Sequence, residues 1–310
     1  MGGHVVRALL TEGDRVVVLD DLTTGDPARL DPAVQLAVGS VRDRELVRRT
    51  LLDSGADGVV HLAARKRGDE SLLRPDWYEQ ENVGGLAAVL GAMADAGVRR
   101  LLASSSAAVY GDPDELPVGE DAPTRPTTPY GETKLTGERL IAAAVREHGL
   151  RAVAFRYFNV AGAATPDLAD TQPVNLLARV FTAVETGGRP VIYGDRHPTP
   201  DGTCVRDYVH AADVAGAHVA ALSLLERPGM HVLNVGTGRG WSVREVLDTV
   251  GDVTGVRLRP QVAPPRAGDP PAVVAAVERI TDLLGWRAAH DLRGMVESAW
   301  SARSLSRSAG

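Results

Sequence analysis

Arg15-Val16-Val17-Val18-Leu19-Asp20 is a short apolar run that ends on an acid. A continuous apolar run of this length, bounded by charge, reads as a strand buried on both faces. Working outward, the segment before it, Gly2 to Gly13, has Val5, Val6, Leu9 and Leu10 at helical spacing, and Gly13 stands as a stop. Further strand-like runs follow at Val34 to Val38, Gly58 to His61, Arg100 to Ser104 and Arg151 to Arg156. Helical patterns lie between them, at Arg44 to Leu52, Gly84 to Ala96 and Thr133 to Glu147. Strands alternating with helices build βαβ units, hence an α/β fold with a doubly wound, mostly parallel sheet. Ligands of such sheets bind beyond the carboxyl ends of the strands. The second half is less regular. Asp167 to Pro200 carries a helix and a Pro/Gly-rich loop, Ala212 to Leu225 a helix, and Val232 to Gly236 a strand. Arg259 to Pro271 holds five of the 19 prolines and reads as loop, and Ser301 to Gly310 as a frayed tail.

The 310 residues carry 34 Lys+Arg against 40 Asp+Glu, a net charge of −6, with 44% hydrophobic residues. That is globular composition, large enough for a sizeable core, and it argues against disorder and against nucleic acid as a partner. No apolar run approaches the ~18 residues of a membrane span. Cys204 is the sole cysteine, so an intrachain disulfide is impossible, which suits a reducing cytoplasm.

Tyr130-Gly-Glu-Thr-Lys134 is the strongest local signal. On a helix, Tyr130 and Lys134 share a face, and a cation near a phenol lowers its pKa and makes it a usable base. Ser104-Ser105-Ser106 ends a strand upstream, where a hydroxyl could bridge substrate and phenol; strand-end capping is the plainer use of such serines. Asp20, followed by Asp21, stands where dinucleotide folds place the acid that binds the adenosine ribose, and the pair would repel a 2′-phosphate, favouring NAD over NADP. Gly236-Thr-Gly-Arg-Gly240 imitates a phosphate loop without its spacing; Ser242 to Glu245 is a capping box, and the glycines read as a structural turn. The eight histidines show no metal-ligand spacing, so no metal is expected.

Together these residues resemble the extended short-chain dehydrogenase/reductases, and within them the UDP-glucose 4-epimerases. The likeness rests on His61-Leu-Ala-Ala-Arg-Lys66, Glu81-Asn-Val-Gly84, Ser104 to Gly111, Pro129 to Lys134, Arg156-Tyr-Phe-Asn-Val-Ala-Gly162 and Asp201-Gly-Thr-Cys-Val-Arg-Asp-Tyr-Val-His210. It implies a Rossmann-like NAD-binding domain over residues 1–158, to which about 205–238 return, and a smaller α/β substrate-binding domain over 159–300. It implies Tyr130 as base, Lys134 on the nicotinamide ribose and Ser106 on the sugar 4-hydroxyl. Gly2, Asp20, Asp21, Lys66, Asn82, Ser104 and Phe158 would hold NAD. Asn159, Asn175, Val191, Tyr193, Arg206, Arg266 and Asp269 would hold the UDP-sugar, the arginine forks matching a diphosphate. The implied reaction is epimerisation at C4 of a UDP-hexose, UDP-galactose to UDP-glucose, through a 4-keto sugar. The resemblance also implies a cytoplasmic homodimer that serves galactose metabolism.

Departures from the family pattern qualify this. Ser106-Ala107-Ala108 lacks the Asp-Glu pair of the related dehydratases. Gly2 falls on the last glycine of the family's Thr-Gly-Gly loop, so the expectation is a chain shortened before its first strand, with two open sheet edges. Ser40 replaces an acid at the adenine, and Val273 replaces a bulky tyrosine beside the sugar, which suggests room for N-acetyl groups. The alternatives left open are a 4-epimerase of another UDP-sugar (pentose, uronic acid or N-acetylhexosamine) and a truncated nucleotide-binding protein of little activity.

Overall fold

The computed structural model describes residues 1–170, 172, 174–266 and 268–308. In chain order the elements begin with α1 (Gly2–Thr11), β1 (Val17–Asp20), β2 (Gln35–Val38), α2 (Arg44–Ser54) and β3 (Gly58–His61). Then come α3 (Gly68–Leu73), α4 (Pro75–Tyr78), a π-helical turn (Glu79–Gly84), α5 (Gly85–Ala96), β4 (Arg100–Ser106), α6 (Pro129–His148) and β5 (Arg151–Tyr157). The later elements are β6 (Asn159–Ala161), α7 (Leu176–Thr186), β7 (Val191–Tyr193), β8 (Val205–His210), α8 (Ala211–Ala221) and β9 (Gly229–Val235). The chain closes with β10 (Gly240–Ser242), α9 (Val243–Thr254), β11 (Gln261–Ala263), β12 (Ala272–Val273), α10 (Glu278–Leu284) and α11 (Leu292–Ser308). Two compact units result: Met1–Gly111 with Thr124–Arg156 and Gly216–Leu233, and Asp112–Pro123 with Tyr157–Ala215 and Asn234–Gly310. No helix is long and apolar enough to cross a membrane among the described residues.

In the first unit β1 pairs in parallel with β2, and β3 in parallel with β4 within the order β3–β4–β5–β9. Among the described residues, β1 and β3 each have one edge without a strand partner. This corrects the reading of Arg15 to Asp20 as buried on both faces: Val17 to Asp20 are half-buried, because a strand with one partner leaves part of its faces and one edge to solvent. The core lies around α2, α5, α6 and β4, where Leu51, Val89, Met93, Leu101 and Ile141 pack together. Burial of such side chains contributes roughly 1.5–3 kcal/mol each.

The second unit is built on β8, which pairs with β6, β10 and β12. Its core joins Phe181, Tyr208, Val246, Val250 and Met295. Two expectations fail here. Gln261–Ala263 is not loop but β11, parallel to β7. Pro260 and Pro264 flank it, so the three residues between them keep their donors, and Gln261 N–H reaches the Pro190 carbonyl at 2.9 Å. Residues 301–308 are not frayed but continue α11. Ala302 and Arg303 are buried, and Arg303 is held by Glu185 at 2.7 Å and Thr182 at 2.9 Å, which fixes that turn.

Candidate active site

Helix α6 starts four residues before its apolar pattern. Thr128 caps it, accepting from Gly131 N–H at 3.2 Å, and Pro129 occupies the first turn, where no N–H is needed. Tyr130, Lys134 and Glu138 then form one stripe along the helix. The stripe faces the end of β4. Gly131 permits this approach: a Cβ there would stand 2.7 Å from the Ala108 carbonyl oxygen.

Ser106 caps the short turn after β4, accepting from Ala108 N–H at 3.2 Å, and its hydroxyl is hydrogen-bonded to the Tyr130 phenol. Burial pushes the Tyr130 pKa up, and the Ser106 bond works against that rise. Burial thus outweighs the lowering expected from Lys134, and the net shift of the phenol is upward. The Lys134 ammonium is directed at Ser104, donating to its carbonyl at 2.9 Å and its hydroxyl at 3.1 Å. Burial brings Lys134 down to about 8, while Glu138 pushes it back up. Buried His61 is brought down to about 3 by burial and by the nearby Lys134 charge, so its imidazole is neutral. Of the 34 cationic side chains only two are lysines, Lys66 and Lys134, and both belong to the expected site. Arginine cannot be tuned this way. That imbalance was legible in the composition, and the motif reading passed over it.

Asn82, expected at the cofactor, has its amide engaged within the protein. Its oxygen accepts from Arg65 N–H at 2.7 Å, and its nitrogen donates to the Arg65 carbonyl and to Thr133 Oγ1, both at 3.0 Å. Thr133 in turn donates to the Tyr130 carbonyl at 2.8 Å. The loop that carries Lys66 is thus tied to the first turn of α6. Lys66 itself is exposed, and so is Gly2 in the first turn of α1. Asp20 ends β1 and accepts from Leu22 N–H at 2.7 Å, while Asp21 is exposed and paired with Arg65 at 3.3 Å. NAD chemistry fits these groups: a carboxylate at the end of β1 for a ribose, and a buried ammonium of which Ser104 takes two of the three N–H donors.

In the second unit, Arg206 is paired with Asp269 and donates to the carbonyls of Val205 at 2.7 Å and Pro270 at 2.7 Å. Arg266 is exposed and lies 4.0 Å over the Tyr193 ring, at the end of β7 from Val191. Of the two arginines, Arg206 is occupied by internal partners and Arg266 faces water. Asn175 caps α7, accepting from Ala178 N–H at 2.9 Å and donating to Asp170 at 2.7 Å. Asn159 is exposed; Phe158 is buried, with its N–H on the Val235 carbonyl at 3.1 Å. Val273 is buried in β12, in register with Arg206. The Gly236–Gly240 turn holds a carboxylate of the protein itself: Thr237 N–H and Gly238 N–H donate to Asp207 at 2.8 and 2.9 Å, and Ser242 and Glu245 form the capping box. The turn is structural because its amides already have an acceptor.

The sequence model of the NAD dependent epimerase/dehydratase family matches residues 1–236. The chain belongs to that family. Among curated members, the UDP-glucose 4-epimerase of Azospirillum brasilense is 43% identical, over 100% of this chain and 91% of that protein. The UDP-glucose 4-epimerase of Streptomyces lividans is 42% identical, over 98% and 93%. Among solved structures, the UDP-glucose 4-epimerase of Stenotrophomonas maltophila with bound NAD and formylated UDP-arabinopyranose superposes with a TM-score of 0.93 at 37% identity, covering 99% of this chain and 96% of that one. That of Bifidobacterium longum, in complex with NAD+ and UDP, gives 0.93 at 33%, covering 98% and 95%.

Proposed function

We propose that this protein is an NAD-dependent isomerase that inverts C4 of a UDP-hexose, interconverting UDP-galactose and UDP-glucose. The observation that carries the chemistry is the Tyr130–Ser106 hydrogen bond beside a buried Lys134 ammonium. The full-length likeness to UDP-glucose 4-epimerases supports the substrate.

Bound NAD would supply a reversible hydride acceptor at C4, which is the redox chemistry that inversion through a 4-keto sugar needs. Tyr130 exchanges a proton with the 4-hydroxyl, and Ser106 holds phenol and sugar oxygen in line. Lys134, steadied by Ser104, would hold the nicotinamide ribose, and its positive charge favours the phenolate form of Tyr130. Asp20 and Asp21 would receive the adenosine ribose, and Lys66 would serve the same cofactor. In the second unit, Arg266 and Arg206 neutralise the diphosphate, and Tyr193, Val191, Asn159, Asn175 and Asp269 complete the UDP site. Arg206 has to exchange an internal acceptor for a phosphate oxygen, while Arg266 starts exposed. No Asp-Glu pair follows Ser106, so the keto sugar is not channelled to elimination.

The proposal includes a homodimer packed through α5 and α6, checked by sedimentation, and a cytoplasmic location, which the unbridged Cys204 suits. The deciding experiment is conversion of UDP-galactose to UDP-glucose by the purified chain with NAD, with Tyr130→Phe as control. Turnover that survives in Tyr130→Phe at near the normal rate sinks the assignment.

A further inference from the structure

Glu138 lies one helical turn beyond Lys134 on α6, and both are buried. The two side chains line one internal cavity together with His61, Asn82, Ser104 and Ser105. The Glu138 carboxylate is held from the far side. Ser105 donates to it at 2.5 Å, and Arg156 forks onto both oxygens at 2.9 and 2.7 Å. Arg156 is anchored in turn by the Tyr110 hydroxyl at 3.0 Å. Three elements, β4, α6 and β5, therefore fix one carboxylate beside the ammonium.

A buried ammonium whose hydrogen-bond partners are neutral loses much of its solvation, and deprotonation relieves that cost. Ser104 supplies only neutral oxygens. From β3, His61 is neutral in the working pH range. On α6 itself, Tyr130 keeps its proton, since burial raises it. The π-helical turn offers neutral Asn82, because Glu81 is held by Arg42 at 2.9 Å and Arg65 at 3.1 Å. From α3, Glu70 is taken by the Tyr78 hydroxyl of α4 at 2.8 Å. Among the described residues, the fixed negative charge facing Lys134 is that of Glu138, with the Arg156 cation on its opposite side.

We propose that Glu138, clamped by Arg156 and Ser105, is the counter-charge that keeps Lys134 protonated and is thereby a positioning residue for the proton transfer at Tyr130. This rests on the functional reading above for its catalytic half; its electrostatic half does not depend on that reading. The neighbouring charges act in the stated direction: Glu138 raises Lys134 against the fall that burial imposes.

The test uses the whole chain with NAD present, labelled at lysine Nζ and Cε. With only Lys66 and Lys134 to observe, each signal is assigned by inspection, the exposed Lys66 being the internal reference. Glu138→Gln removes the counter-charge but strands Arg156, so Glu138→Gln/Arg156→Met, which removes both charges, is made alongside it. The expected result is a Lys134 midpoint lowered by about one pH unit or more in each variant that folds, with Lys66 unmoved. The alkaline fall of UDP-galactose conversion moves to lower pH by the same amount, and Glu138→Asp restores both. An unmoved Lys134 midpoint in the double variant overturns the counter-charge. A moved midpoint with an unmoved pH–rate profile overturns the positioning role. A wild-type chain that converts no UDP-sugar overturns the functional reading and with it the positioning role, while the lysine titration still decides the counter-charge.

Discussion

The Lys134 ammonium donates to both the carbonyl and the hydroxyl of Ser104, at 2.9 and 3.1 Å. One strand end thereby holds the ammonium through one serine, while Ser106, two residues on, holds the phenol. Lys134→Met is expected to cut conversion by roughly 10²-fold or more, as loss of a group that orients proton transfer does. Its folding stability should change by only about 1 kcal/mol, because the methionine fills the space of the lysine stem and removes a desolvated charge. Lys134→Arg should not rescue the rate, since a planar fork does not fit the two Ser104 oxygens as an ammonium does. Steady-state rates and urea unfolding measure the two effects.

Asn82→Ala removes three hydrogen bonds that tie the Lys66 loop to Thr133. At about 1 kcal/mol each, unfolding free energy should drop by ~2–3 kcal/mol. The apparent affinity for NAD should weaken as the loop loosens. Equilibrium unfolding and NAD titration check this; a variant as stable as the parent would show that the clamp carries no weight.

Gly131→Ala tests the close approach of α6 to the turn after β4. Its Cβ would meet the Ala108 carbonyl oxygen at 2.7 Å and Pro126 at 2.9 Å, so the turn must retreat. The expected cost is ~1–3 kcal/mol of stability. Because the turn carries Ser106, kcat should fall more than KM rises.

His61 makes a pH-dependent contribution with a definite sign. Its pKa falls from 6.5 to about 3 on folding, through burial and the Lys134 charge. The unfolded chain therefore takes up a proton as pH drops through 6.5, and the folded chain does not until about 3. Stability from this group is complete above the unfolded value and is lost at about 1.4 kcal/mol per pH unit across that window. His61→Phe should flatten the decline in unfolding free energy between pH 6 and 4 by about that slope. Identical slopes for parent and variant would refute it.

The α/β alternation, the helix and strand order, and the Tyr130–Lys134 pair were legible because periodicity and side-chain chemistry are local. The capping box at Ser242 was legible for the same reason. The strand Gln261–Ala263 was hidden among prolines, since only its partner β7 reveals which N–H groups are used. The helical end of α11 was hidden likewise, because Glu185, which holds Arg303, is 118 residues away. Asn82 illustrates the limit at the site: the motif singled the residue out, but its clamp on Arg65 and Thr133 is a contact that no spacing encodes.

The sequence by itself determined the α/β architecture and the family, because those follow from residue type and order. Only the tertiary structure decided the electrostatics: that Lys134 faces Ser104, that burial raises Tyr130, and that Glu138 is fixed beside the ammonium by Arg156. Charge states depend on desolvation and on neighbours brought together from distant segments, and folding creates both.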